Sequence, residues 1–238
     1  MKITIQFPTY SRSKKFLSVL ERYIDLAGPN HELFFNINCD MTDLSMTNLA
    51  TVAAVSAIFS KYSWRDTDFI MNFDDNTEKI SAINSHATDK PFDIIVCASD
   101  DMVPQVEGWD DEIARAMIQY FPNLDGCVHF DDGNTHGKLI TFSILGRKLY
   151  EHFGYIYHPD YKSLYCDDEF TQEVKRLGKE AYVDKMIFSH EHWSIEGSEN
   201  HNQIDMAIHK TLHYAGRDRQ VFERRKQLGF PKERITND

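Results

Sequence analysis

No apolar run in this chain approaches the roughly 20 residues of a membrane-spanning helix. The longest, over 49–59, is interrupted by Thr51 and Ser56. The N-terminus runs directly into a strand-like segment, and the expectation is a soluble, cytoplasmic protein. Cysteine is sparse and scattered. Cys39, Cys97, Cys127 and Cys166 form no CxxC pair, and three of them sit in or beside apolar strand-like runs, which suits buried reduced thiols rather than a disulfide framework or a zinc knuckle. Glycine-rich phosphate loops are missing as well. There is no P-loop and no GxGxxG, and the first strand leads through Pro8-Thr9-Tyr10-Ser11-Arg12-Ser13-Lys14-Lys15 without a glycine, which counts against a nucleotidyltransferase built on such a loop. Internal repeats, low-complexity tracts and a clear interdomain linker are also lacking, so one domain with a C-terminal extension is expected.

Positive charge is in deficit, with 26 Lys and Arg against 37 Asp and Glu in 238 residues and a formal net charge of -11, a balance that repels nucleic acid on average. The C-terminal segment is the exception. Lys210, Arg217, Arg219, Arg224, Arg225, Lys226, Lys232 and Arg234 make it locally basic.

What the sequence does contain is β/α alternation. A strand over 2–7 ends at Pro8, and Ser11 or Ser13 is positioned to cap a helix whose apolar residues Phe16, Leu17, Leu20, Tyr23 and Ile24 recur at helical spacing. A strand over 33–38, a helix over 47–62, a strand over 68–73, a helix over 77–86 and a strongly apolar strand over 92–98 follow. This order predicts a mainly parallel sheet covered by helices, with ligands beyond the carboxyl ends of the strands, where Thr9 to Arg12, Asp40 and Asp100 with Asp101 share one rim. Further on, a helix over 109–120 precedes apolar segments at 126–130 and 139–145, joined through the turn-rich Asp131-Asp132-Gly133-Asn134 as a hairpin-like connection. A helix over 168–177 and a last strand over 182–188 complete the expected order.

Three constellations carry potential chemistry. Ser99-Asp100-Asp101 places paired carboxylates at the end of a buried strand, which is costly unless they face solvent or a hard cation such as magnesium or manganese; the plainer reading is a turn or helix cap. His190-Glu191-His192-Trp193 puts two imidazoles on one side of an extended segment, suited to a divalent ion although not at HExxH spacing. Asp167-Asp168-Glu169 opens an amphipathic helix, where free backbone N–H groups keep a carboxylate ionised, whether as a cap or as a proton acceptor. A glycoside hydrolase would also use two carboxylates, but that reading leaves the strand-end acids and late histidines without a role.

In chain order these features resemble glycosyltransferase family 2 and its GT-A-fold relatives, from about Ile3 to Trp193. Phe7-Pro8-Thr9-Tyr10-Ser11-Arg12 resembles the first-strand segment that meets the nucleotide, Asp40 the acid near base or ribose, and Lys79 with Asn84 the helix before the donor strand. Ser99-Asp100-Asp101 resembles the metal-binding DxD element with Ser in its first position, and Gly108-Trp109-Asp110 its downstream companion. Cys166-Asp167-Asp168-Glu169 resembles the segment supplying the base, which leaves that role between Asp167 and Asp168, and His190 or His192 resembles the late histidine ligand.

The resemblance implies a GT-A-like catalytic domain over 1–195 and a basic helical extension over 196–238, packed on it or acting as a lid in which Arg217, Arg224 or Arg225 meets the diphosphate. It implies donor contacts from Pro8, Thr9, Tyr10, Arg12, Asp40, Lys79, Asn84, Asp100, Trp109 and Arg217, and Mn2+ or Mg2+ held by Asp101, His190 and His192. The expected reaction is hexosyl or pentosyl transfer from a nucleotide sugar to a hydroxyl acceptor, with inversion. That acceptor is a carbohydrate, a lipid-linked molecule or a protein, with a hydroxylated DNA base as the alternative; a nucleic-acid-binding protein without catalysis is the non-enzymatic alternative.

Overall fold

The computed structural model of the protein describes residues 1–75, 78–191 and 205–234. Its main sheet has seven strands: β1 (Lys2–Thr9), β2 (Glu32–Asp40), β3 (Thr67–Asp74), β4 (Ile94–Cys97), β6 (Cys127–Phe130), β7 (Ile144–Gly146) and β8 (Glu180–Val183), in the order β3-β2-β1-β4-β7-β6-β8. Pairing is parallel except on both sides of β7, which runs antiparallel to β4 and β6. A second, two-stranded sheet joins β5 (Met102–Pro104) to β9 (Phe188–His190) in antiparallel register, with Met102 opposite His190. The described helices are α1 (Ser13–Asp25), α2 (Leu44–Thr47), α3 (Leu49–Lys61), α4 (Lys79–Asn84), α5 (Trp109–Tyr120), α6 (Arg147–Phe153), α7 (Cys166–Arg176), α8 (Met206–His213) and α9 (Ala215–Gln227).

Strands covered on both faces need no polar alternation, which is why β4 reads as a continuous apolar run. β1 alternates instead, Ile3, Ile5 and Phe7 with Thr4 and Gln6, and the two polar residues are buried as well. On one face Phe16, Leu20, Tyr23 and Ile24 of α1 pack with Phe7, Phe35, Val55 and Trp109. On the other, Ile80, Ile83, Leu149, Phe170, Val174 and Phe222 pack around Ile95 and Leu145. All four cysteines are buried and free. Burial pushes the thiols of Cys39, Cys97 and Cys127 up to about 12, so they are inert structural thiols as expected.

Several boundaries differ from the sequence reading. The helix expected over 47–62 is α3, which begins at Leu49 because Asn48 leaves helical geometry and caps it by accepting the Thr51 N–H; the short α2 before it was not expected. Neither Ser11 nor Ser13 caps α1; Arg12 holds the cap position, and Ser11 sits at φ 62 with its N–H donated to Asp43. The strand expected over 182–188 is divided between the two sheets, the chain turning at Lys185, whose N–H returns to the Val183 carbonyl. β6 and β7 do pair antiparallel, but residues 131–143 between them form a long connection, not a tight turn.

The chain proceeds from β1 outward through β2 to β3, then returns to the other side of β1 as β4. The crevice beyond the carboxyl ends of β1 and β4 is therefore a topological switch point, the place where open α/β sheets bind ligands.

Candidate active site

A cavity of about 230 Å³ opens at this switch point. The end of β1 contributes Pro8, Thr9, Tyr10 and Arg12, the end of β2 contributes Asp40, and the turn after β4 contributes Ser99, Asp100 and Asp101. Lys79 comes from the start of α4, Asp167 from the first turn of α7 and His190 from β9. Helix α8 closes one side with Ala207, Ile208, Lys210 and Thr211.

The two strand-end acids are electrostatically unlike. Asp100 is 6% exposed, and burial together with Asp101 pushes its carboxyl up to about 6, against the pull of Arg12 and Lys15. Asp101 is also penalised by burial, but His190, the Ser99 hydroxyl and Lys79 outweigh that and hold it below the ordinary carboxylate range. Ser99 Oγ donates to Asp101 Oδ1 at 2.5 Å. The other oxygen, Oδ2, lies 4.0 Å from His190 Nε2. Two ligands of one divalent ion, each at roughly 2.0–2.2 Å, stand at most about 4.3 Å apart, so this pair fits as two donors to one ion. Among the described residues no group of three or more His, Cys, Asp or Glu side chains is gathered closely enough to hold a metal by itself. An ion here would need further oxygens from a ligand, as magnesium commonly takes from phosphates.

Arg12 forks between two acids, with Nη1 at 3.0 Å from Asp100 Oδ1 and Nε at 2.5 Å from Asp205 Oδ2. Asp205 in turn caps α8 by accepting the Ile208 N–H. Asp40 is buried, its Oδ1 taken by the Thr42 N–H and hydroxyl and its Oδ2 by Lys210 Nζ at 3.0 Å. These donors outweigh the cost of burial and lower its pKa. Lys210 also lies 3.9 Å from the Tyr10 ring centroid. Thr9 Oγ1 and Ser163 Oγ, on residues lining the cavity, are buried without a hydrogen-bond partner among the described residues. Such orphaned hydroxyls are costly unless a ligand satisfies them.

Not every expected residue arrives here. Trp109 is fully buried in the core, edge-on to Tyr23 at 5.3 Å, with Nε1 donating to the Tyr23 carbonyl. Asn84 is used up on backbone, donating to Tyr157 O and accepting from the Ile156 and Tyr157 N–H groups. Arg217 binds the Asp160 carbonyl and Asp218 outside the cavity. Asp168 is half-buried but does not line the cavity, whereas Asp167 does. Burial raises both carboxyls, with Lys79 partly offsetting the effect on Asp167 and Asp167 adding to it on Asp168. The third acid of that run, Glu169, lies in the core against Arg225 and Tyr161. His192 and Trp193 lie outside the described residues.

No family model matches the sequence, and no curated protein sequence matches it. Solved structures do match in three dimensions. A mannosyltransferase from Pyrobaculum calidifontis in complex with GDP-Man and Mn2+ superposes with a TM-score of 0.61 at 13% identity, over 82% of this chain and 58% of that one. TarS from S. aureus gives 0.59 at 11% identity, over 79% and 36%. Its residue 1–349 form in complex with UDP gives 0.57 at 13% identity, over 79% and 59%. The chain has a GT-A glycosyltransferase fold. It spans less than two thirds of the length of each of these three GT-A structures.

Within this GT-A framework, Asp132, Thr141, Ser163 and Asp205 carry no signal of a site in the sequence. Asp132 was visible only as part of a turn, and nothing in the sequence spacing ties it to His190, whose Nδ1 lies 3.7 Å from Asp132 Oδ2. In sequence Lys210 is one charge of a basic tail, yet its side chain meets Asp40. Arg225, expected at a diphosphate, is instead fully buried and paired with Glu169 and Asp160.

Proposed function

We propose that the protein is a divalent-metal-dependent glycosyltransferase that moves a hexosyl or pentosyl group from a nucleoside-diphosphate sugar to a hydroxyl acceptor with inversion. The observation that carries this reading is Asp101 facing His190 across 4.0 Å in a cavity built from the polar ends of β1, β2 and β4. The GDP-Man and Mn2+ in the mannosyltransferase and the UDP in TarS support a nucleotide-sugar donor and a divalent ion. When bound, Mn2+ or Mg2+ would neutralise charge developing on the departing diphosphate.

The chain's own residues supply the rest. Arg12, whose Nε and Nη2 bond Asp205 and whose Nη1 bonds Asp100, retains further guanidinium N–H groups for phosphate oxygens, and Lys79, whose ammonium is stabilised by Asp101 and Asp167 in spite of desolvation, adds a second positive charge. Asp40 with Lys210 and the Tyr10 ring forms a subsite of mixed charge and aromatic surface for the base and ribose. The Thr9 and Ser163 hydroxyls are free to bond ligand oxygens. Asp167 accepts the acceptor hydroxyl's proton: it lines the cavity, and a carboxyl raised by burial is a better base than an exposed one. Asp168 is assigned the lesser role of neighbour.

The test is release of nucleoside diphosphate from a panel of nucleotide sugars, with Mn2+ or with EDTA, followed by transfer to carbohydrate and hydroxylated-DNA acceptors. Metal-dependent turnover of one donor is expected. In Asp167→Asn transfer should fall about 10²- to 10⁴-fold with donor affinity kept, while Asp168→Asn loses far less. Metal-independent turnover, or equal losses in both variants, would contradict these assignments.

A further inference from the structure

We propose that Asp132 is a positioning residue that holds the His190 imidazole as its Nδ1–H tautomer, leaving Nε2 unprotonated and aimed at Asp101. The proposal rests on the reading of His190 as a metal ligand only for its consequence, not for its geometry.

Asp132 is 5% exposed and its two oxygens have separate duties. Oδ1 accepts from the Asn134 N–H at 2.9 Å, the Thr135 N–H at 2.7 Å and the Thr135 hydroxyl at 3.1 Å, which closes the 131–135 turn and fixes the carboxylate plane. Oδ2 accepts from the Thr141 hydroxyl at 2.7 Å and faces His190 Nδ1 at 3.7 Å. The same turn also grips the backbone of His190 from both directions. Its N–H donates to the Asp132 carbonyl at 3.3 Å, and Asn134 Nδ2 donates to its carbonyl at 3.1 Å. On the opposite side the imidazole presents Nε2 to Asp101 Oδ2. One ring nitrogen therefore looks at each carboxylate.

In a neutral imidazole only one nitrogen carries hydrogen, and the nitrogen bearing a lone pair is the only one able to ligate. An ionised carboxylate accepts hydrogen bonds and cannot donate, so the carboxylate with the fixed position selects which nitrogen carries the proton. Asp132 is that carboxylate, because four hydrogen bonds from groups other than His190 anchor it, whereas among the described residues the Asp101 carboxylate accepts a hydrogen bond only from the Ser99 hydroxyl.

Asparagine at 132 gives a sharp test. The three donors on Oδ1 force the amide oxygen into that place, so the NH2 replaces Oδ2. The Thr141 hydroxyl can turn to accept from it, and His190 Nδ1 then faces a donor and must offer its lone pair. The proton moves to Nε2, and the nitrogen facing Asp101 no longer ligates. Turn and fold are kept while the tautomer is inverted.

The experiment uses the full chain with 15N-labelled histidine at about pH 8, above the ordinary histidine range, without metal. Long-range 1H–15N correlations, assigned with His190→Gln, report the tautomer, and Mn2+ binding is titrated separately by electron paramagnetic resonance. The parent is expected as Nδ1–H and Asp132→Asn as Nε2–H, with Mn2+ binding weakened about 10- to 100-fold. Thr135→Val, which loosens the same turn without touching Oδ2, is expected to lower Tm and keep the parent tautomer. A parent already in the Nε2–H form, an unchanged tautomer in Asp132→Asn, or an equal change in Thr135→Val would overturn the proposal. If the tautomer inverts as expected but the parent binds no Mn2+, the positioning role stands and the metal-site reading fails.

Discussion

Asp100 and Asp101 are consecutive in the chain, yet Asp101 is stabilised as an anion and Asp100 is not. The difference lies in which neighbours each oxygen meets: His190 and Ser99 hold Asp101 charged, while Asp100 sits buried beside Asp101's own charge with Arg12 shared with Asp205. The consequence for stability has a definite sign. The Asp100 carboxyl titrates near 3.8 in its unperturbed state and at about 6 in the folded chain, so between those values the folded state binds more protons. Its contribution to stability is complete below the lower value and is lost as pH rises through about 6. Asp100→Asn cannot ionise and still accepts from Arg12. In metal-free buffer its Tm advantage over the parent should grow as the pH is taken from about 4 to about 7; a pH-independent difference would contradict this account of the burial.

At the scale of elements, α9 anchors the segment that delivers Asp167. Arg225 is fully buried, with Nε and Nη2 each 2.8 Å from Glu169 and Nη1 3.0 Å from Asp160. Asp218, also fully buried, accepts the backbone N–H groups of Lys162, Ser163 and Leu164, immediately before α7. Replacing Arg225 by Met leaves Glu169 charged and buried without its partner, which should cost about 3–5 kcal/mol in urea denaturation. A loss below about 0.5 kcal/mol, ordinary for a surface change, would show that α9 is not an anchor.

The basic tail illustrates what sequence patterning does and does not carry. Helical spacing located α1, α5 and α7 because each has one apolar stripe facing the sheet. In α9 the inward face is held by Asp218, Phe222 and Arg225, so its buried charges look solvent-facing in sequence and their partners, distant along the chain, are invisible.

For the whole molecule, β/α alternation sufficed for a mainly parallel sheet, and the polar residues after β1, β2 and β4 do share one rim. The strand order beyond β4 was not legible. β7 is a three-residue strand whose neighbours Ile140 and Ser143 bond to Thr171 and Tyr157, so its apolar run carries no sign of where pairing begins. The misplaced Trp109 and Asn84 have a common cause, since an aromatic or amide beside a motif looks the same whether it binds ligand or secures backbone. Among the described residues no helix is long and apolar enough to cross a membrane.

On the reading above, the switch-point cavity binds a nucleoside diphosphate through a divalent ion held by Asp101. The most direct measurement is the melting temperature of the parent and of Asp101→Asn in a panel of nucleoside diphosphates, each with Mn2+ or with EDTA. Binding to the folded state alone raises stability by mass action, about 2.7 kcal/mol at a hundredfold excess over Kd. The account predicts a rise for one nucleotide that needs Mn2+ and is lost in the variant. A rise that persists in EDTA or in Asp101→Asn, or no rise with any nucleotide, would contradict it.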